Sequence, residues 1–419
     1  MEPSLPSPQP SLQQPQMATS KDDEVRAIEE AHRAAQARLG IAGAYLAMSE
    51  WGSVNPLNAS ESGSSWVARS LILINAIRRK SSRLAATYVR LVRALETGYT
   101  LDYPEYSDNP DTLTLGDLRT QLRDVLLEIA NIDHEATDTD NEAEERFEAE
   151  LRRAQRDPEP RQDRINFSVT EIDDQIQNWL DNADDNDDDR VTVEDFDWGS
   201  DMEPEQIQDA FQKALTEQVV ETYEKQTKAI WRDEELTGRQ AQAKVDKAFS
   251  AAGSLGGGRV DRYGISGGRE VIDRVIAMDR RVMAWARGTR PNCCAFCALL
   301  ASRGWVYKKN AGTLAKDADG NYYQGTRNRT TRAGNEASAD SFDANGIRKY
   351  HDNCKCFLIV RWVDNPDLPE QSKTWAKDYA EKIAPNYSYG NGTNNALNAW
   401  RRLLNDQRRA DGTYVRKNR

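Results

Sequence analysis

Histidine is scarce in this chain, with three in 419 residues. That leaves little material for a catalytic site built on an imidazole base. No stretch reaches the roughly 20 apolar residues a membrane-spanning helix needs, so no membrane partner is expected. Residues 1–16 are rich in Pro, Ser and Gln and lack the basic and apolar regions of a secretory leader. They read as part of a disordered tail over 1–19. Cysteine is limited to five residues, all within 293–356. A dispersed disulfide framework is therefore excluded, and assembly in a reducing compartment is expected. Positive charge is in deficit: the net charge of -12 argues against wholesale nucleic-acid binding. A mean hydropathy of -0.80 describes a strongly polar chain whose folding can depend on partners.

The polar chain still carries helical apolar stripes. Ser20 is a good N-cap, Asp22, Asp23 and Glu24 suit a first turn, and Val25, Ile28, Ala31, Ala35 and Leu39 recur at helical spacing. A second helix is predicted over 65–97 from Ile74, Ile77, Leu84, Tyr88, Leu91 and Leu95, with Gly98 as its stop. Leu115, Leu118, Leu122, Val125, Leu126 and Ile129 predict a third. Ile165, Phe167 and Val169 alternate like a short strand. Pro204 opens another helix, expected to reach Trp231. Glycines 253–258 read as a flexible break, and Val271, Ile272, Val275, Ile276, Met278, Val282 and Trp285 predict a helix running up to Pro291. Past that point, Trp305-Val306-Tyr307 and residues 357–363 are the best strand candidates. The polar, Gly- and Asn-rich stretch 308–348 between them suggests a long exposed loop, and a last helix is expected over 394–407.

The expected class is a mainly α N-terminal region with a small α+β zinc-stapled C-terminal module. Its divisions are the tail 1–19, a helical domain 20–130, an acidic linker region 131–203, a helical segment with the Gly-rich break 204–266, the Cys/His module 267–365, and a C-terminal helical segment with a basic tail 366–419.

The module carries the chemistry. Cys294-Ala-Phe-Cys297 can aim two thiolates at one ion, and His351-Asp-Asn-Cys354-Lys-Cys356 can return to complete a tetrahedron. Soft sulfur with one imidazole suits Zn²⁺, and four protein ligands leave no position for a catalytic water, so the site reads as structural. The preferred set is Cys294, Cys297, His351 and Cys354, with Cys356 as the substitute. Cys293 lies outside the Cys-x-x-Cys turn. Reduced, buried cysteines without metal are the alternative.

Three further features are weaker. Asp184, Asn186, Asp188 and Asp195 fall at positions 1, 3, 5 and 12 of a calcium loop, but Asp189 replaces its glycine and Asp195 its bidentate Glu. A solvated acidic loop explains them more simply. Arg78, Arg79, Lys80, Arg83, Arg90 and Arg93 form one basic stretch, and Arg401, Arg402, Arg408, Arg409, Arg416, Lys417 and Arg419 another. These read as solvated faces, or as docking sites for phosphate or acidic surfaces. His32 and His134 sit in polar helical sequence and read as solvent-exposed. No Gly-x-Ser-x-Gly, His-Glu-x-x-His or phosphate-cradling glycine loop is present, so no catalytic constellation is identified.

The run Gly267-Gly-Arg-Glu-Val-Ile, then Trp285-Ala-Arg, then Cys294-Ala-Phe-Cys297-Ala-Leu-Leu-Ala-Ser-Arg-Gly304-Trp-Val-Tyr307, and finally Tyr350-His-Asp-Asn-Cys-Lys-Cys356, resembles the minor capsid, or Mu F-like head morphogenesis, proteins of tailed bacteriophages that infect actinobacteria. The resemblance implies a low-copy virion protein inside the phage head, assembled in the host cytoplasm. Its partners would be the portal protein, the major capsid or scaffolding protein, and packaged DNA through the basic segments. The family's Cys/His pattern falls on Cys294, Cys297, His351, Cys354 and Cys356. Its members are often called capsid maturation proteases, which makes that activity the second reading.

Overall fold

The computed structural model describes residues 20–106, 109–130, 169–198, 204–289, 293–307, 315–316, 322–323, 356–364, 366–386 and 396–410. Residues 131–168 of the expected acidic linker region 131–203, which include His134, Ile165 and Phe167, lie outside them, as do His351, Cys354 and both chain ends; residues 169–198 of that region hold a helix and a strand.

The mainly helical class holds. Helix α1 (Lys21–Trp51) starts where expected, with the Ser20 hydroxyl accepting the Asp23 N–H at 3.2 Å above an acidic first turn. Helix α2 (Ala59–Thr97) begins six residues earlier than the apolar stripe indicated and ends at Gly98, whose φ of 74° gives the left-handed turn that glycine adopts without strain. Its 39 residues make a rod of about 58 Å. Strand β1 (Tyr99–Leu101) follows, then α3 (Leu115–Ala130). Val169 opens α4 (Val169–Asn182) instead of closing a strand. Ile176, Trp179 and Leu180 are buried at helical spacing, which outweighs a three-residue alternation. Strand β2 (Thr192–Glu194) pairs in parallel with β1.

Helix α5 (Pro204–Leu215) passes through a π turn (Thr216–Val220) into α6 (Glu221–Trp231), so the expected helix is present with a bulge. Helix α7 (Gly238–Gly264) opens with a capping box between Thr237 and Gln240. It overturns the flexible break, because Gly253, Gly256, Gly257 and Gly258 are buried in its interior. A Cβ on Gly253 would stand 2.7 Å from the Trp51 ring, on Gly256 2.6 Å from Trp66, and on Gly257 2.7 Å from the Ala44 carbonyl. The missing side chains let α7 lie directly on α1 and α2.

Helix α8 (Ser266–Met278) stops short of Pro291, another departure from the expectation. Asp279 takes an extended backbone, and Trp285 belongs to strand β3 (Ala284–Gly288), where Ala284 and Ala286 alternate into a small core. After α9 (Ala295–Ala301) comes β4 (Val306–Tyr307). The segment expected as an open loop contains β5 (Ala315–Lys316) paired with β6 (Tyr322–Tyr323). Strand β7 (Phe357–Arg361), α10 (Glu370–Asp378), a π turn (Tyr379–Ile383), a 3-10 turn (Ala384–Asn386) and α11 (Ala396–Ala410) complete the order. The antiparallel sheet runs β4-β3-β7, with Trp285 opposite Val360 and Gly288 opposite Phe357.

Strand β7 joins two regions. Leu358 and Val360 enter the large core built by α1–α8, while Ile359 turns to Ala284, Ala286 and Trp305. No helix among the described residues is long and apolar enough to cross a membrane.

Candidate metal centre

Local sequence puts the first cysteine pair at a helix entrance. Cys294 is the N-cap of α9, in extended backbone, and its Sγ accepts the Cys297 N–H at 3.4 Å. Such an N–H donor favours negative charge on sulfur. Ala295, Cys297, Ala298 and Ala301 form the inner face of this short helix.

The other half arrives through the sheet register. Gly288 ends β3 opposite Phe357, whose ring would come within 2.2 Å of any Cβ at position 288. Cys356, one residue earlier, is thereby set beside the chain leading to α9. Cys293, Cys297 and Cys356 are buried in one apolar cluster with Trp375 of α10 and Trp400 of α11, and Cys294 packs against it. The two tryptophans meet edge to face at 5.5 Å, and Trp375 Nε1 donates to Thr289 at 2.7 Å. Two buried arginines reach Cys356: Arg287 Nη1 donates to its Sγ at 3.0 Å, and Arg269 Nη2 to its carbonyl at 3.1 Å. Thus Cys356 joins the cluster that holds the first cysteine pair, while His351 and Cys354 lie outside the described residues.

Soft donors at the edge of a water-excluding shell, with N–H groups already aimed at sulfur, fit the chemistry of a thiolate-bound ion. Among the described residues, no group of three or more His, Cys, Asp or Glu could hold a metal ion. A tetrahedral set would draw on His351 and Cys354.

A buried ionic cluster went unread in the sequence. Arg361 of β7 pairs with Glu96 of α2 and stands 3.6 Å from Glu29 of α1, and the Trp362 N–H donates to Glu96 at 2.6 Å. Burial pushes Glu29 up to about 8 and also raises Glu96, with Arg361 opposing both. His32, expected on the surface, is 2% exposed, stacked on Tyr88 at 4.2 Å, and held neutral by burial, its pKa lowered to about 3. The signal was available: position 32 lies four residues from Ile28 on the apolar stripe.

The basic stretch of α2 is likewise a correction. Arg90 and Arg93 are buried, Arg93 donating to Asp279 at 2.9 Å, and Trp362 Nε1 donates to the same carboxylate at 2.6 Å. Arg78 is bidentate on Glu270, and Lys80 and Arg83 share Glu128. These cations fasten α2 to its neighbours. The acidic loop 184–195 is also used internally: Asp187 accepts from Arg119 at 2.7 Å, Asp185 pairs with Arg123 at 2.9 Å, and the Asp187 and Asp189 carbonyls accept from Gly116 and Leu115. The loop is docked through Asp185 and Asp187, while Asp184, Asn186, Asp188 and Asp195 are exposed, in line with a solvated acidic loop.

Residues 196–382 match the model of the VG15 protein family, a family of viral, phage proteins. The matched stretch covers a little under half of the chain and includes α5–α8, the β4-β3-β7 sheet and the cysteine cluster. No curated protein and no solved structure matches the chain. The likeness supports a protein of phage origin.

Proposed function

We propose, starting from a phage-family likeness that spans the cysteine cluster, that the chain is a minor capsid protein acting in head morphogenesis. In this reading it sits inside the procapsid beside the portal, and a structural zinc ion closes its C-terminal module. The observation that carries the zinc reading is the convergence of Cys294, Cys297 and Cys356 in one dry cluster from opposite ends of a long insertion. An ion held by Cys294, Cys297, His351 and Cys354 would staple the segment after β3 to the segment before β7. Zinc would supply cross-linking and no reaction, because a closed four-ligand shell binds no water.

The helical body suits a docking part. Its internal cations are matched by internal carboxylates, and α11 carries exposed Arg401, Arg402 and Arg409, the last paired with Asp406, as a basic face for packaged DNA. The protease reading gains no support: His32, the one histidine among the described residues, is sealed in the core. The test is quantitative mass spectrometry of purified phage particles. Low copy relative to the major capsid protein, with retention in heads emptied of DNA or loss on ejection, fits a head protein. Absence from both procapsids and virions sinks the assignment.

A further inference from the structure

The parallel strands β1 and β2 run out side by side into two short loops that carry four aromatic rings. Asp102 ties the loops together. Its N–H donates to the Glu194 carbonyl at 2.9 Å, its carboxylate accepts the Phe196 N–H at 2.6 Å, and its carbonyl accepts from Trp198 Nε1 at 2.5 Å. The rings follow one another as Tyr106, Tyr103, Trp198 and Phe196, with neighbouring centroids 5.8, 5.1 and 4.7 Å apart. All four are half-buried, so each keeps some surface in solvent. The Tyr106 hydroxyl accepts from Arg83 Nε at 3.4 Å, which leaves its own O–H to donate.

A fixed row of rings suits a ligand that stacks, either unpaired bases or prolines. The rim chooses between them. Asp195 and Asp197 are exposed at one end, and the exposed Glu105 hydrogen-bonds Tyr103 at the other. Carboxylates so placed repel phosphate and tolerate an uncharged segment. Residues 3–10, Pro3-Ser-Leu-Pro6-Ser-Pro8-Gln-Pro10, hold four prolines and no charge. Prolines three apart, as Pro3 and Pro6 are, share one edge of a polyproline II turn of about 9 Å, comparable with two ring-to-ring steps. The row also lies near the start of α1. Arg361 bridges Asp22 to Glu96 of α2, and one turn earlier Arg93 holds Glu194, two residues before Phe196. Residues 11–20 extend up to about 33 Å, ample for a path of one helix turn and a few ion pairs.

We infer that the row of Tyr106, Tyr103, Trp198 and Phe196 is a docking site for the proline-rich residues 3–10 of the same chain. It stands apart from the zinc and capsid readings.

The experiment places the photo-crosslinker benzoylphenylalanine at Leu5 of the full chain and maps the products by mass spectrometry. Crosslinks to residues 102–106 or 195–198 within one copy are expected, at a yield independent of protein concentration. Pro6→Ser combined with Pro8→Ser should lower that yield severalfold, as should Tyr106→Ala. A synthetic peptide of residues 3–10 should bind a chain lacking residues 1–16 more tightly than the full chain, where the site is already filled. If Tyr106→Ala does not fold, the proline variant decides, because it alters nothing in the described fold. Crosslinks scattered over the surface, or indifferent to the proline substitutions, overturn the inference. Crosslinks between copies that fade on dilution also overturn it, in favour of a contact between chains. Single-stranded DNA binding to the shortened chain that depends on Tyr106, with no peptide binding, gives the row to bases instead.

Discussion

Replacing Gly256 by alanine separates two accounts of the glycine run by sign. In a flexible break, or on an open helix face, alanine is favourable, by about 1 kcal/mol over glycine in a helix interior. In the packed seam it has nowhere to go. The new Cβ would lie 2.6 and 2.7 Å from two carbons of the Trp66 ring. Carbon contacts settle at about 3.5–4.0 Å, so the ring or the helix must retreat by roughly 1 Å. Trp66 cannot retreat cheaply: it is fully buried, its Nε1 donates to the Ala47 carbonyl at 2.8 Å, and Trp51 meets it edge to face at 4.9 Å. Overpacking of this kind costs about 1–3 kcal/mol. Set against the propensity gain, with the ring pinned on two sides, the net expectation is a loss of about 1–2 kcal/mol. Gly238→Ala is the control, since a Cβ there meets nothing within 4 Å. Urea titrations followed by circular dichroism should show a lower midpoint for Gly256→Ala and an unchanged or higher one for Gly238→Ala. If Gly256→Ala raises the midpoint, the seam argument is wrong.

Stability should depend on pH through two buried groups whose effects oppose. Glu29 is protonated in the folded chain between its ordinary 4.5 and about 8, so it lowers stability as pH rises through that interval. His32 stays neutral when folded between 6.5 and about 3, so it lowers stability as pH falls through that interval. Each limb has a slope of about 1.4 kcal/mol per pH unit, and the two cancel between 4.5 and 6.5. Thermal midpoints across pH should therefore show a plateau there, and Glu29→Gln should flatten the alkaline limb; an unaltered limb refutes the assignment. Arg361→Met leaves Glu96 buried without its cation and should cost about 3–5 kcal/mol, with Glu96→Gln in the same chain restoring part of it. Additive losses in that double-mutant cycle would disprove the coupling. Reversing Arg401, Arg402 and Arg409 to glutamate should weaken DNA binding and flatten its salt dependence, read by fluorescence anisotropy over a salt series; an unchanged slope removes α11 from the DNA-facing surface.

Much of this was legible from local pattern. Ser20, Gly98 and Pro204 mark helix ends through their own backbone chemistry, and the stripes on α1, α2 and α3 follow from a 3.6-residue period that needs no partner to be seen. The cysteine spacing likewise announced a cluster, because a Cys-x-x-Cys turn keeps its two sulfurs close in any context. Tertiary structure decided what local pattern cannot carry. Glycine looks the same in a hinge and in a helix seam, and only Trp51, Trp66 and the Ala44 carbonyl distinguish them. Arg93 and Arg361 look like surface charge until the carboxylates that neutralise them arrive from Asp279 and Glu96. Cys356 looks interchangeable with its neighbours until β3 lays Arg287 against its sulfur. In each case the deciding group lies far away along the chain, where residue spacing holds no information about it.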